Sequence, residues 1–445
     1  MNPVLLAALL LASSQAPLGS TLIAVALPSL SSSLGADAVQ ASTLLVASYL
    51  VVTVLFQGPG GRLSDALGHA RALWIGMGLF ALGSLGGLVS PTLWLLALSR
   101  SVAAVGGALV VPSTMALMRL AVPPERRGRV FGTFGAVMAL AAAVGPVLGG
   151  EIVSLFGWRA VFLASLPFLA LAALLFRLFP LPRSTPSGSA VAGLDWIGLA
   201  LLAVSLIALV GSGRSSGPLR YPLLAVGLVA GAVFVHRQWR TARPVLDVRL
   251  LSNPVMAGAS AIMGLQNFAM YGLMFQLPLF FEHLRGVPPR EVGYGLFAMM
   301  IGMVAASPIG GRLTDRFGPR TTGLAGAAVM AVGCVGMINV GWFQVPRDAM
   351  PWLFLAGAGL GLSSAPAQSS AMASIPGERA GMAAGLSSTI RYLGGISTII
   401  VQAIVLGGGD ATVTLGEHRA MIVLYALSVL LSLAAATLLP RRSQA

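Results

Sequence analysis

Gly60–Gly68 reads GGRLSDALG, and 250 positions further on Gly310–Gly318 reads GGRLTDRFG. Each copy follows an apolar run and opens a short loop rich in Arg. The same offset relates Leu27-Pro28 to Leu277-Pro278. A near-matching one relates Glu125-Arg126-Arg127-Gly128 to Glu378-Arg379-Ala380-Gly381. One Gly-rich repeat would need nothing more than two similar tight turns. Three matches in one order at equivalent helix ends, with the Asp kept inside the longest, indicate duplication of a six-helix unit.

Around this repeat the chain is apolar. Of 445 residues, 56% are hydrophobic and 9% charged, with a mean hydropathy of +0.88. A soluble domain carries about 25% charged residues to wet its surface. The apolar residues come in runs of about 20, enough to cross a hydrocarbon core of about 30 Å. An all-α polytopic membrane protein, with lipid as its main solvent, is expected. The net charge of +14 arises from 27 Arg and no Lys, set in short clusters between apolar runs. The positive-inside rule produces that distribution, and it argues against nucleic acid as a partner. Avoidance of Lys also points to a GC-rich bacterial genome. Cys334 is the single cysteine, so an internal disulfide is excluded.

Fourteen apolar runs are expected to span, the first near 4–28, the ninth near 254–281, the last near 419–439. Eighteen Arg fall on the side that holds both termini and seven on the other, with two inside spans. Both termini are therefore expected in the cytoplasm of a multi-pass protein of the bacterial inner membrane. The first residues resemble a signal peptide, but they lack a basic n-region and the apolar stretch runs on through Leu30. A retained first helix is expected. Residues 1–182 and 246–445 read as two six-helix bundles. Helices 7 and 8, within 183–245, have no counterpart and read as an inserted pair. Duplicated halves about a central site suit alternating access.

At GGRLSDALGHAR the chain resembles the loop between helices 2 and 3 of the major facilitator superfamily, G-x-L-a-D-r-x-G-r-k. Gly61, Leu63, Asp65 and Gly68 match; Ala66, His69 and Ala70 depart, with Arg71 a nearby cation. Leu96–Arg100 resembles the helix 4 motif l-x-x-x-R, and Gly145-Pro146-Val147-Leu148-Gly149-Gly150 the helix 5 motif of exporters, G-P-x-x-G-G. Asp195–Gly198, Pro244–Asp247 and Arg391–Gly395 are similar to the fourteen-helix drug/proton antiporter branch. The resemblance implies the major facilitator fold and efflux. A conformational latch is expected at Gly61, Arg62, Asp65, Gly68 and Arg71, and again at Gly311, Arg312, Asp315, Arg316, Gly318 and Arg320. Asp65 and Asp315 would accept hydrogen bonds from a helix N-terminus or pair with Arg. Gly145, Gly149 and Gly150 permit close helix contact, and Pro146 permits a bend.

Two Arg lie inside spans: Arg100, about 10 Å from an end, and Arg391, about 15 Å deep. A midplane Arg costs about 2.5–3.5 kcal/mol, so each must meet backbone carbonyls or face a wet cavity. The sequence leaves both open. All thirteen acids fall at helix ends or in loops. The antiporter branch often carries an Asp in helix 1, within L-D-x-T-I-V-N-V-A-L-P. Here Gly19 stands where that Asp would be, and Ala24 where the Asn would be. A proton-coupled cycle needs a group whose pKa moves with its surroundings. Asp65, Glu151 and Glu282 are the candidates.

Gln15, Gln57, Gln266, Asn267, Met270, Tyr271, Met274 and Gln276 punctuate helices 1, 2 and 9 and are the candidate substrate cavity. Methionine adapts to varied ligands and amides offer uncharged hydrogen bonds. The four His do not cluster, so no metal or cofactor is expected, and no soluble domain is long enough for ATP hydrolysis. The expectation is a monomeric secondary exporter of amphiphilic small molecules, not an enzyme, with proton antiport as one possible coupling. With Arg391 inside and no acid, the cargo is expected to be neutral, zwitterionic or anionic. A lipid or metabolite exporter with weak or no proton coupling is the alternative. A non-transporting receptor or scaffold is the reading from another class.

Overall fold

The computed structural model describes residues 2–181, 195–215, 217–241, 244–375, 380–406 and 414–441. These residues form fourteen α-helices in chain order. They are α1 (Pro3–Ser33), α2 (Ala38–Leu67), α3 (His69–Val89), α4 (Leu93–Ala121), α5 (Pro124–Phe156), α6 (Leu166–Leu178) and α7 (Trp196–Arg214). Next come α8 (Arg220–Arg240), α9 (Pro254–Pro278), α10 (Pro289–Phe317), α11 (Pro319–Gly336), α12 (Pro346–Ala373), α13 (Ala380–Leu406) and α14 (Leu415–Ala436). A π-helical turn, Leu279–Leu284, prolongs α9.

Ten of these segments are long and apolar enough to cross a membrane, and α2 makes eleven if its two parts, bent by 55° at Pro59, form one span. The missing Pro59 N–H explains a bend there. Of the rest, α9 and α12 are interrupted by amides and hydroxyls, and the 18 residues of α11 open with Pro319, Arg320, Thr321 and Thr322. The chain is a multi-pass, all-α membrane protein. Helix starts follow local chemistry. Asn2, Thr92, Asp195 and Asn253 each accept a first-turn N–H, and Thr414 with Glu417 forms a capping box.

Packing comes in matched pairs. In the first six helices α1 lies on α5 and α6, and α4 on α2 and α3. In the last six α9 lies on α13 and α14, and α12 on α10 and α11. Between the two groups α5 meets α10, and α2 meets α13. The pair α7–α8 packs on itself, with α7 leaning on α2 and α13.

The repeated nonapeptides adopt one backbone. Gly68 follows α2 with φ +82°, and Gly318 follows α10 with φ +88°. Glycine reaches that region without steric cost, which accounts for both. Gly60 presses on the Ala108 carbonyl of α4 and Gly310 on the Leu362 carbonyl of α12, whereas Gly61 and Gly311 face open space. Of the shorter repeat, Glu125–Gly128 lies in the first turns of α5, while Glu378 and Arg379 lie outside the described residues. So do Asp410 and the stretch 182–194 that contains the first expected domain boundary.

The apolar core is forked. Toward the face that carries Asn2 and Arg441, two separate clusters exist. Leu5, Leu9, Leu73, Leu117 and Phe176 belong to one, and Met256, Ile262, Ala371, Leu386 and Leu439 to the other. Toward the opposite face one cluster joins both groups, running from Leu22–Leu30 of α1 through Leu273–Phe281 to Val292–Met300 of α10. The apolar core is therefore continuous across both groups at one end and parted between them at the other.

Asp195 fastens the inserted pair. Its carboxylate accepts the Gly198 N–H (2.9 Å), two guanidinium N–H groups of Arg237 (2.8 and 3.0 Å) and the Gln238 amide (3.0 Å). Gln238 in turn accepts the backbone N–H groups of Val245 and Leu246. Burial works against this carboxylate, but Arg237, the Gly198 N–H and Gln238 together hold it below the ordinary aspartate range. A depressed pKa means that the stabilisation is complete above that range and is lost as pH falls through the folded value. Asp195→Ala is expected to cost about 2 kcal/mol, less than a fully buried pair because Arg237 is 34% exposed and partly screened. Thermal unfolding in detergent should show it as a lowered melting temperature at neutral pH.

Candidate functional site

The continuous end is closed by α5 against α1 and α10, and glycines set the approach. A Cβ on Gly149 would stand 2.8 Å from the Leu22 carbonyl oxygen, and one on Gly145 would collide with Thr21. Gly150 faces the other way: its Cβ would lie 2.8 Å from the Pro289 oxygen and 3.1 Å from the Arg290 Cα. Across the same seam Gly293 of α10 meets the Pro146 carbonyl. Small residues let backbones come this close where no water drives helices together. Polar groups reinforce the seam. Arg290 Nε donates to Glu151 Oε1 at 2.7 Å, and the Tyr294 hydroxyl donates to the same oxygen at 2.6 Å. Sequence reading found Glu151 but treated Arg290 as a loop cation and passed over Tyr294.

At the parted end the two latch carboxylates hold no Arg among the described residues. Asp65 is 58% exposed and lies 3.8 Å from the His69 Nδ1, with no Arg paired to it among the described residues. Asp315 is exposed, and neither an ion pair nor a hydrogen bond reaches it among them. Arg71, Arg312 and Arg316 are exposed, while Arg62 and Arg320 are half-buried. The Arg320 backbone N–H donates to the Pro440 carbonyl at 3.1 Å.

The two intramembrane cations differ in kind. Arg100 is 7% exposed; its Nε donates to the Leu45 carbonyl (3.2 Å) and one terminal nitrogen to the Gly19 carbonyl (3.3 Å). The guanidinium also lies 4.6 Å from the centre of the Tyr49 ring, a cation–π contact. Arg391 is half-buried and lies 5.3 Å from the Tyr392 ring centre, without a hydrogen bond or ion pair among the described residues. One is tied to backbone; the other keeps its donors free.

The amides expected in the cavity divide as well. Gln266 donates to Ser363 of α12 and faces Ser432 of α14, and Gln276 donates to the His418 carbonyl of α14 at 2.8 Å. Both are engaged inside the last six helices rather than in a cavity. Helical periodicity alone cannot tell those directions apart. Asn267, Met270, Tyr271 and Met274 remain as one stripe at i, i+3, i+4 and i+7. The Tyr271 ring packs against Gly395 of α13 and stacks on Phe275 at 6.0 Å. Gln15 lies buried in α1, its Nε2 donating to Leu11, and Gln57 is half-buried in α2. The side-chain oxygen of each is buried without a partner among the described residues. Sequence reading also missed Gln402, which bridges the Gly272 carbonyl and the Tyr425 hydroxyl between α9, α13 and α14.

Of the three candidate acids, Glu151 is ion-paired and Asp65 is exposed. Glu282 differs. It lies past the end of α9 in the π-turn, and its Oε1 is buried with no hydrogen-bond partner among the described residues. Burial pushes its carboxyl up to about 8.

Residues 9–399 match the sequence profile of the Major Facilitator Superfamily. The chain belongs to this superfamily. It is 31% identical over 427 residues to the uncharacterised MFS-type transporter YvkA of Bacillus subtilis, covering 96% of this chain and 94% of that one. It is 32% identical to the methylenomycin A resistance protein of Streptomyces coelicolor (82% and 77% covered). The multidrug resistance protein B homolog of Mycobacterium tuberculosis is 30% identical (80% and 67% covered). Among solved structures, the D-xylose–proton symporter superposes with a TM-score of 0.68 at 15% identity, covering 98% of this chain and 97% of that one. At that identity the likeness shows the fold alone. A superfamily member with this architecture is a membrane transporter and not an enzyme.

Proposed function

We propose that this transporter is a secondary active exporter that moves amphiphilic small molecules out across the bacterial cytoplasmic membrane by alternating access. The observation that carries the reading is the forked core, parted on the terminal face and sealed opposite by Gly150, Gly293 and the Glu151–Arg290 pair. With both termini in the cytoplasm, as the Arg asymmetry favours, that is an inward-open state ready to load cargo. Residues 1–182 and 246–445 are then the rocking bundles, with 183–245 an inserted pair riding on α2 and α13. Asp65 and Asp315 would latch the terminal face only when it closes, and both are disengaged here. The names of the methylenomycin A and multidrug resistance relatives support export.

The cargo surface in this reading comprises Asn267, Met270, Tyr271 and Met274 of α9, with Arg391 of α13 and Gln57 of α2. A cation with donors free among the described residues, and no acid inside the spans, favour neutral, zwitterionic or anionic amphiphiles over organic cations. Proton antiport runs in this reading through Glu282, whose carboxyl burial pushes up to about 8. Gly19 in the place of a helix 1 acid favours a second reading, a lipid or metabolite exporter with weak or no proton coupling. Reconstitution into proteoliposomes separates them. Anionic and neutral amphiphiles should move faster than cationic dyes, and an imposed pH gradient should accelerate them. Transport of equal rate without the gradient removes the antiport step. A clear preference for cationic dyes overturns the cargo assignment.

A further inference from the structure

Among the described residues, no group of opposite charge pairs with Arg100. Of its three nitrogens, Nε and one terminal nitrogen bond to carbonyls, while the other terminal nitrogen is buried without a partner. A small cavity of about 30 Å³ adjoins it, lined by Gly19, Tyr49, Phe80, Ser84, Phe162 and Ser165 among others. No carboxylate lines this space. Ser84 and Ser165 are buried, and their hydroxyls make no hydrogen bond among the described residues. An unpaired ion in a low-dielectric interior is costly, and so is a buried donor left unbonded. The lining thus offers a cation and two uncommitted hydroxyls around a space that exceeds what one water needs.

We infer that this cavity is a buried anion site that takes a small inorganic anion, with chloride as its occupant, as the counter-ion of Arg100. The anion sits against the Arg100 guanidinium and accepts from the Ser84 and Ser165 hydroxyls, with the Phe80 and Phe162 rings closing the sides. It takes the place of a carboxylate that α1 does not supply, since Gly19 contributes only its carbonyl. The geometry shows how an internal counter-ion could replace it. A Cβ added at Gly19 would meet only the edge of Phe80 at 3.4 Å, an ordinary contact.

Thermal unfolding of the purified protein tests this without reference to cargo or coupling, so its outcome is independent of the transport reading. Exchange of chloride for gluconate at constant ionic strength is expected to lower the melting temperature by about 2–4 °C, reversed on adding chloride back. In Gly19→Asp, which brings its own carboxylate to Arg100, the chloride dependence should vanish while the protein stays folded. Arg100→Gln should also lose the dependence, and Arg237→Gln, a cation elsewhere in the fold, should keep it. A wild-type melting temperature indifferent to chloride means that the space holds water only and overturns the assignment. So does a Gly19→Asp protein that responds to chloride as the wild type does.

Discussion

Gly150→Leu is expected to reduce transport by about tenfold or more while the protein still inserts and accumulates in the membrane. The added side chain would meet the Pro289 carbonyl and the Arg290 Cα, which are backbone atoms held by α10 and cannot rotate away. Overpacking of this kind costs about 1–3 kcal/mol, and about 1.4 kcal/mol is a factor of ten in an equilibrium. The cost falls on the conformer sealed at the α5–α10 seam and not on its opened alternative, so the population moves away from the inward-open state. Gly150→Ala should give a smaller loss of the same kind. Gly135→Leu on the same helix, where a Cβ has nothing within 4 Å, should leave transport near wild type. Initial rates in vesicles, normalised to protein content, check all three. Loss of equal size in Gly135→Leu would mean that α5 tolerates no bulk anywhere and that the seam is not special.

Arg391→Gln should raise the apparent KM for an acidic amphiphile by about tenfold or more, since a hydrogen bond to a charged group contributes about 1.5–3 kcal/mol. Its donors are free among the described residues, and its guanidinium lies 5.3 Å from the Tyr392 ring centre. A neutral amphiphile should change by less than about threefold, and Arg391→Lys should recover part of the acidic substrate's affinity because it keeps the charge but loses the planar fork. The concentration dependence of uptake into everted vesicles separates these cases. Equal losses for acidic and neutral cargo would make Arg391 a structural residue.

The fold was legible because its signals are local and repeated. Gly68 and Gly318 announce themselves, since few other residues hold a φ near +85°. The Gly145–Gly150 motif was legible as a set of glycines, but the partners they meet were not. Gly293, Arg290 and Tyr294 lie far along the chain from Glu151, and only tertiary packing brings them across the seam. Arg100 and Arg391 read alike as intramembrane cations. Whether each faces carbonyls or a cavity depends on neighbouring helices that no periodicity reports. Gln266 and Gln276 show the same limit: an amide that braces α14 and one that lines a pathway look identical in the sequence. Asp195 carried a family pattern without a reason, and the reason is a buried carboxylate joining α7, α8 and the chain leading into α9.

Alternating access about the α5–α10 and α2–α13 seams is tested most directly by distances at both faces of one protein. Spin labels at Leu67→Cys and Phe317→Cys report the terminal face, and labels at Phe156→Cys and Trp342→Cys the opposite one. All four positions are exposed, and the native Cys334 is fully buried and stays unlabelled. In nanodiscs, on adding cargo or changing pH, the first distance is expected to shorten as the second lengthens. Two distances that stay fixed, or change together, under every cargo and gradient tried would contradict rocking of two bundles about a central site.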